Sequence, residues 1–227
     1  MPDRYRDGGY ANDNPDWHLS DSPHKAEAVL QVARRAGLRP RSVIDVGCGA
    51  GGVATRLAEA WPGSEVQGWD IAPEAIARAR AGGGGATFHV GDPCREGVRA
   101  ELVLCLDVAE HVVDDVGLLR DLAALGPTLI VRSPLDLSVL DVIRPARALE
   151  SRERYGHVHA YTRALARARL EDAGWRIEAS IFHRVPPRRQ TLRERVVDRV
   201  RRTAFQLAPE TTVDLLGGWS LVMLARR

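Results

Sequence analysis

The stretch VIDVGCGAGG, residues 43–52, decides the fold of this chain. A short β-branched run ends in an acid and then in a cluster of glycines, which predicts a strand, a tight turn and a helix. Glycine tolerates a positive φ, and without a Cβ it lets a ligand approach the backbone closely. The free N–H groups at the start of the helix face the same space. The stretch therefore predicts a nucleotide-like ligand at the end of the first strand.

Apolar runs and helical patterns alternate outward from this stretch along the whole chain. Strands are predicted at residues 42–46, 65–69, 86–90, 101–106, 128–132, 175–182 and 219–225. Helices between them make this an α/β fold, with a doubly wound, Rossmann-like, seven-stranded, mainly parallel sheet and helices on both faces. The ligand is expected at the carboxyl ends of the strands, at the switch point beside the first strand.

Length and composition predict one soluble domain that spans residues 1–227. Residues 1–35, a polar arm and a helix, are expected to form a lid, and residues 183–218 a helical insert between the last two strands. The net charge of +2 shows no bias toward nucleic acid or membranes. An apolar leader and long apolar stretches are absent from the sequence, so we expect a cytoplasmic protein, either a monomer or a homodimer.

The glycine spacing alone leaves the ligand open. Gly47, Gly49 and Gly52 satisfy G-x-G-x-x-G, and Asp70 at the end of the second strand fits the acid that binds a ribose in NAD-dependent enzymes. A dinucleotide therefore stays possible until further motifs are considered.

Four motifs in chain order resemble those of class I S-adenosylmethionine-dependent methyltransferases that act on small molecules. Asp45 completes D-x-G-x-G-x-G, and Gly91-Asp92 follows the third strand. LDVAEHV at residues 106–112 resembles the V-L-E-H-V element after the fourth strand, and residues 126–131 resemble the fifth strand. The resemblance covers about residues 25–182 plus the last strand. It implies S-adenosylmethionine rather than NAD, because the chain offers no separate substrate domain for a dehydrogenase.

The resemblance and the side-chain chemistry together imply a cofactor site. Asp70 is expected to accept hydrogen bonds from both ribose hydroxyls, and the resemblance places Asp45 near the cofactor amino group. Asp92 can accept from the adenine amine, although an Asx turn before Pro93 is the alternative. The full predicted set is Asp45, Gly47, Cys48, Gly49, Gly51, Asp70, Ile71, Gly91, Asp92, Pro93, Leu106, Asp107 and His111.

Methyl transfer to an oxygen requires loss of a proton, so the candidate catalytic residues are histidines. His111 follows the fourth strand, where the alternative is that it only lines the cofactor pocket. His157 and His159 lie in YGHVHAYT and project to opposite sides of an extended segment, so one of them is expected to face the site. No metal site is expected, because the carboxylates after the fourth and fifth strands, Asp107 and Asp136, fit the catechol-type pattern poorly.

These features predict methyl transfer from S-adenosylmethionine to a small-molecule acceptor, an O- or N-nucleophile of a natural product or sugar-type metabolite. The motifs of DNA methylases are absent after the fourth strand, so no DNA partner is expected. One alternative is an RNA methyltransferase that uses the arginine-rich segment 188–202. There, Leu192, Val196 and Val200 predict an amphipathic helix with its apolar side packed on the sheet or over the pocket. The other alternative is a cofactor-binding partner protein without catalytic activity.

Overall fold

The computed structural model describes residue 14, residues 16–185 and residues 192–227, and it confirms the predicted α/β architecture. The strands are β1 (Ser42–Val46), β2 (Glu65–Asp70), β3 (Thr87–Val90), β4 (Leu102–Leu106), β5 (Thr128–Pro134), β6 (Arg176–His183) and β7 (Ser220–Arg226). The helices are α1 (Ser22–Arg35), α2 (Gly52–Ala60), α3 (Pro73–Gly82), α4 (Asp115–Asp121), α5 (Val139–Ile143), α6 (Ala146–Glu150), α7 (Arg163–Asp172), α8 (Leu192–Leu207) and α9 (Pro209–Leu216).

The seven strands form one sheet in the order β3-β2-β1-β4-β5-β7-β6. β7 runs antiparallel to both of its neighbours, and the other pairings are parallel. The strand order reverses between β1 and β4, so the chain leaves these two neighbours toward opposite edges of the sheet. Loops that diverge in this way leave a crevice at the carboxyl ends of the strands, where open α/β sheets bind ligands.

Two apolar cores fill the two faces of the sheet. One face packs against α1, α2 and α3 through side chains such as Val32, Leu57 and Ile76. The other face packs against α4, α7 and α9 through Leu119 and Leu170, among others. Because both faces are covered, the central strands read as nearly continuous apolar runs, which made them recognisable in the sequence.

The helix predicted in the arginine-rich segment is present as α8, but its packing was predicted wrongly. Val196 and Val200 are 64% and 59% exposed, whereas Asp198 between them is only 3% exposed. Asp198 forms ion pairs with Arg184 and Arg202, and these pairs turn the polar side of the helix inward. Residues 188–191 of the segment lie outside the described residues.

The described part of the predicted lid is short. Residues 1–13 and Pro15 lie outside the described residues, and the chain from Asp16 leads through a single 3₁₀ turn, Leu19–Asp21, into α1. Trp17 packs against Ala50, Ala72 and Ala75, next to the glycine turn and the start of α3. Among the described helices, none combines the length and the apolar character needed to cross a membrane.

Candidate cofactor and acceptor site

A cavity of about 1240 Å³ opens at the carboxyl ends of the central strands. Small-molecule pockets typically measure about 300–1,000 Å³, so this one has room for a cofactor and an acceptor together. Every residue of the predicted cofactor set lines it except Gly51, and so do two of the three predicted histidines, His111 and His157. Most of the predicted residues therefore line the cavity, although they form only about a third of its wall.

The glycine turn exposes its backbone to the cavity. Gly47 and Gly49 have φ values of 71° and 54°, which side chains rarely tolerate. A Cβ on Gly47 would lie 2.5 Å from Cγ2 of Val108. The N–H groups of Gly47 and Cys48 donate to the carbonyl of Trp69 at 2.8 and 3.0 Å, which fastens the turn to β2. A ligand can therefore lie directly against main-chain atoms here.

Gly51 has a structural role that the motif does not reveal. Its φ is 78°, and a Cβ there would lie 2.5 Å from the ring of Phe88 and 2.8 Å from Ala79. Glycine at this position thus lets the start of α2 pack closely against β3 and α3. Gly51 supports the cavity wall from behind and is not part of the lining.

Asp70 organises the bottom of the cavity. Its Oδ2 accepts from the N–H of Gly49 at 2.8 Å, and its Oδ1 accepts from the N–H of Ala72 at 2.9 Å. Burial raises the pKa of this carboxyl, and the backbone hydrogen bonds oppose that effect. Each carboxylate oxygen keeps a second lone pair for an incoming hydroxyl group, so the predicted ribose contact is compatible with this geometry.

The adenine side of the predicted site is formed by the loop after β3. Oδ1 of Asp92 accepts from the N–H of Cys94 at 3.1 Å, so the Asx turn that was the alternative for Asp92 is present. Asp92 nevertheless lines the cavity together with Ile71 and Pro93. Its contact with an adenine amine stays a prediction.

Lys25, the only lysine of the chain, joins α1 to the loop after β4. Its Nζ lies 2.7 Å from Oδ2 of Asp107, and Arg132 of β5 forms an ion pair with Oδ1 of the same carboxylate. Burial acts to raise the pKa of Asp107, but Arg132 and Lys25 outweigh it and hold the pKa well below its usual range. Asp107 is therefore an anion that fixes three elements around the cavity.

Asp45 is the most deeply buried carboxylate of the predicted cofactor set. It is only 2% exposed at the end of β1. Burial raises its pKa to about 7, while Lys25 acts in the opposite direction and Asp70 adds to the increase. A group that changes charge near neutral pH thus lies in the cavity wall, where a cationic ligand would stabilise its anion.

The cavity wall also contains a cluster of imidazoles. Nδ1 of His157 lies 2.7 Å from Oδ2 of Asp136, and Nδ1 of His111 lies 3.3 Å from the carbonyl oxygen of Gly156. The two rings meet edge to face with their centroids 4.9 Å apart. Burial, followed by the neighbouring His157, lowers the pKa of His111 to about 4, so this imidazole is neutral near pH 7.

His159 lies apart from this cluster. Its Nε2 is 2.9 Å from the carbonyl oxygen of Val112, and its ring stacks on Tyr161. It does not line the cavity, so its contacts assign it to the support of the loop that carries His157. The carbonyl of Glu110 accepts from the N–H groups of Val158 and His159 and holds the same loop.

Sequence reasoning missed several residues of the cavity wall. Lys25, Glu110, Arg132 and Tyr155 line the cavity, but none of them was among the predicted site residues. Glu110 entered the sequence analysis only as part of the LDVAEHV element. Trp17 also lines the cavity and belongs to the predicted lid. The one sequence signal for Lys25 is that it is the single lysine of the chain and lies on the helix just before β1.

A comparison with models of protein families identifies the family of this chain. Residues 19–180, well over half of the chain, match the family model described as a methyltransferase domain. This chain belongs to that family. The predicted resemblance to class I S-adenosylmethionine-dependent methyltransferases is thereby confirmed.

Curated relatives match over a short segment. Trans-aconitate 2-methyltransferase of Mycobacterium sp. (strain KMS) is 38% identical over 71 residues, which is 31% of this chain and 28% of that protein. The same enzyme of Mycobacterium tuberculosis (strain ATCC 25177 / H37Ra) is 39% identical over 75 residues, 33% of this chain and 29% of that protein. The matched segment thus spans less than a third of these relatives.

Solved structures share the fold along nearly the whole chain. Magnesium protoporphyrin IX methyltransferase from Synechocystis PCC 6803, with bound SAH, superposes with a TM-score of 0.62 at 22% identity and covers 95% of this chain and 86% of that one. An S-adenosylmethionine-dependent methyltransferase from Mesorhizobium loti gives a TM-score of 0.54 at 24% identity, covering 86% and 96%. At these identities the likeness establishes the fold.

Proposed function

We propose that this protein transfers a methyl group from S-adenosylmethionine to an oxygen or nitrogen atom of a small-molecule acceptor. The observation that carries the proposal is one cavity whose wall contains two kinds of groups. An open glycine turn with Asp70 and Asp45 suits the cofactor, and His111 and His157 suit an acceptor that loses a proton. Natural products and sugar-type metabolites remain the acceptor classes that we favour, oxygen before nitrogen.

The glycine turn and the two carboxylates fit the cofactor. Positive φ angles at Gly47 and Gly49 leave main-chain atoms open to a ligand, and the carboxylates of Asp70 and Asp45 can accept from hydroxyl and amino groups. S-adenosylmethionine, when bound, would supply an electrophilic methyl group on a sulfonium, with the sulfur as the leaving group that would keep the electron pair of the carbon–sulfur bond.

The protein's own contribution is to position the acceptor and to manage its proton. Asp136 lies within hydrogen-bond distance of Nδ1 of His157, which holds that ring in one orientation and favours the tautomer with Nε2 unprotonated. A neutral Nε2 can accept the proton of an acceptor hydroxyl. The pKa of His111, lowered to about 4, makes His111 a weak proton acceptor.

Two observations favour a small molecule over RNA as the acceptor. Two of the similar proteins are named for small acceptors, trans-aconitate and magnesium protoporphyrin IX. In the arginine-rich segment, Arg202 forms an ion pair with Asp198, which also pairs with Arg184, and Arg201 donates to the carbonyl of Leu216. Arginines engaged within the protein contribute less to a phosphate-binding surface.

Calorimetric titration of the purified protein with S-adenosylmethionine, S-adenosylhomocysteine and NAD in parallel tests the proposal. We expect micromolar binding of both sulfur cofactors, weak or no binding of NAD, and methyl transfer in a following screen of hydroxylated and amine acceptors. Binding of NAD alone would overturn the proposal. Normal cofactor binding without turnover on any acceptor would favour the non-catalytic partner protein.

A further inference from the structure

Glu110 is the most unusual side chain in the cavity. It is 0% exposed, and neither Oε1 nor Oε2 has a hydrogen-bond partner within the described part of the chain. A buried carboxyl group without a partner carries a large desolvation cost. Such a group is usually paired or bound to a metal. The side chains next to Glu110 therefore show what it could bind.

Two imidazoles lie beside this carboxyl group. One ligand atom from each of Glu110, His111 and His157 can be chosen so that all three lie within 4.8 Å of one another. The three residues lie at the cavity wall, His111 and His157 on its partly exposed side. The chain brings them together because Ala109–His111 form a 3₁₀ turn after β4, while the carbonyl of Glu110 holds the loop that carries His157.

Both imidazoles are oriented as metal-bound histidines are. Nδ1 of His157 lies 2.7 Å from the carboxylate of Asp136, and Nδ1 of His111 lies 3.3 Å from the carbonyl oxygen of Gly156. An oxygen beside Nδ1 places the N–H there and leaves the lone pair on Nε2. Histidines that bind metals donate their other N–H in just this manner to a carboxylate or a backbone carbonyl.

We propose that Glu110, His111 and His157 bind a divalent transition-metal ion of the Zn²⁺ type at the wall of the cavity. Two neutral imidazoles and one carboxylate form a donor set that suits such ions and leaves coordination positions open. Bonds of about 2.0–2.2 Å would draw the three ligand atoms closer together than the 4.8 Å limit.

The role of the ion deepens the proposed function and rests on it. An acceptor oxygen that occupies an open coordination position loses its proton more readily, because the cation stabilises the resulting anion. His157 is then a metal ligand, and the proton leaves to solvent instead of to Nε2. The sequence analysis expected no metal site in this chain, and the proposal departs from that expectation. The donor set uses neither Asp107 nor Asp136 as a ligand.

Zn²⁺ binding to chelator-treated protein, measured by competition with a chromophoric chelator, tests the proposal. We expect one Zn²⁺ per chain and at least about tenfold weaker affinity in Glu110→Gln and in His157→Gln. His159→Gln is the matched control, because His159 lies on the same loop and bonds to the backbone outside the cluster. Asp136→Asn should weaken binding by about 10–100-fold, the usual effect of losing a partner of a metal-bound histidine.

The spectrum of the Co²⁺-substituted protein adds a readout that does not depend on activity. Visible d–d bands should appear in wild type and His159→Gln and be lost or shifted in Glu110→Gln. Wild-type protein that takes up less than a fifth of an equivalent of Zn²⁺ would overturn the proposal, as would equal affinities in wild type, Glu110→Gln and His157→Gln. If Glu110→Gln does not fold, the comparison of Asp136→Asn with His159→Gln decides.

Failure of the metal site and failure of the proposed function give different results. S-adenosylhomocysteine binding without Zn²⁺ binding leaves the methyltransferase proposal standing and removes the metal. Zn²⁺ binding that depends on Glu110 and His157, without binding of the sulfur cofactor, keeps the metal site and removes its role in methyl transfer.

Discussion

Replacement of Asp45 by asparagine should stabilise the cofactor-free protein, and by more at pH 8 than at pH 5. Burial raises the pKa of Asp45 from 3.8 to about 7. Between these values the folded chain holds a proton that the unfolded chain has released, so stability falls as the pH rises. This loss of stability begins above about pH 3.8, which is the pKa of Asp45 in the unfolded chain. It is complete above about pH 7, which is the raised pKa of Asp45 in the folded protein.

The size of the effect follows from the same two pKa values. Each unit of difference between them is worth about 1.4 kcal/mol, so the full cost of ionising Asp45 in the folded protein is about 4 kcal/mol. At pH 5 only about 1.6 kcal/mol of it applies. Asparagine carries no charge at any pH. The stability gained by Asp45→Asn should therefore grow by about 2–3 kcal/mol between pH 5 and pH 8.

Urea unfolding of wild type and Asp45→Asn at pH 5 and pH 8, without cofactor, measures this difference. Contributions that do not depend on pH, such as altered hydrogen bonds of the amide, cancel between the two conditions. Asp172→Asn, at the exposed end of α7, is the matched control and should change by less than about 0.5 kcal/mol. An increase below 1 kcal/mol, or one of opposite sign, would refute the claim that burial dominates at Asp45.

Three further substitutions test other parts of the site. Asp70→Ala should weaken S-adenosylhomocysteine binding by about 10–100-fold in calorimetry, because charge-assisted hydrogen bonds worth about 1.5–3 kcal/mol are lost; unchanged affinity would remove the ribose assignment. Gly51→Ala should lower the free energy of unfolding in urea by more than about 2 kcal/mol. The reason is that the new Cβ would lie 2.5 Å from the ring of Phe88, at a residue whose φ is 78°. An unfolding midpoint equal to that of the wild type would contradict this account. Lys25→Met should reduce stability at pH 7 by about 1–3 kcal/mol, because Asp107 keeps only one of its two cationic partners; equal unfolding midpoints would show that Arg132 suffices.

The sequence predicted the sheet well because its signals are local. Strands covered on both faces appear as apolar runs, and the turn of residues 47–52 can be formed only where glycines permit positive φ. The seven predicted strands all occur, with ends that differ by one or two residues. Asp70 and Asp92 both line the cavity, because Asp70 ends β2 and Asp92 lies two positions after β3, and both strands end at the same edge of the sheet.

The errors arose where a contact partner lies far away in the sequence. Periodicity in α8 counts residue types, so it could not show that Arg184, outside the helix, turns Asp198 inward and leaves Val196 exposed. Lys25 reaches Asp107 across 82 positions of sequence, and no local pattern marks such a pair. Alternation along an extended segment predicted that His157 and His159 project to opposite sides, but only the fold shows that His157 is the one that lines the cavity.

The charge of the cavity wall explains why a glycine motif shared with dinucleotide-binding proteins is here combined with a methyl donor. Among the described residues, the wall contains eight carboxyl groups and three side chains of lysine or arginine. The carboxyl groups belong to Asp21, Asp45, Asp70, Asp92, Asp107, Glu110, Asp114 and Asp136, and the cations are Lys25, Arg95 and Arg132. A pyrophosphate would add negative charge to this excess, whereas a sulfonium and an amino group would offset it. The partial protonation of Asp45 near neutral pH is the cost of this arrangement in the empty protein. Binding of a cation should favour the ionised form of Asp45 and so offset part of the cost that its burial places on the fold.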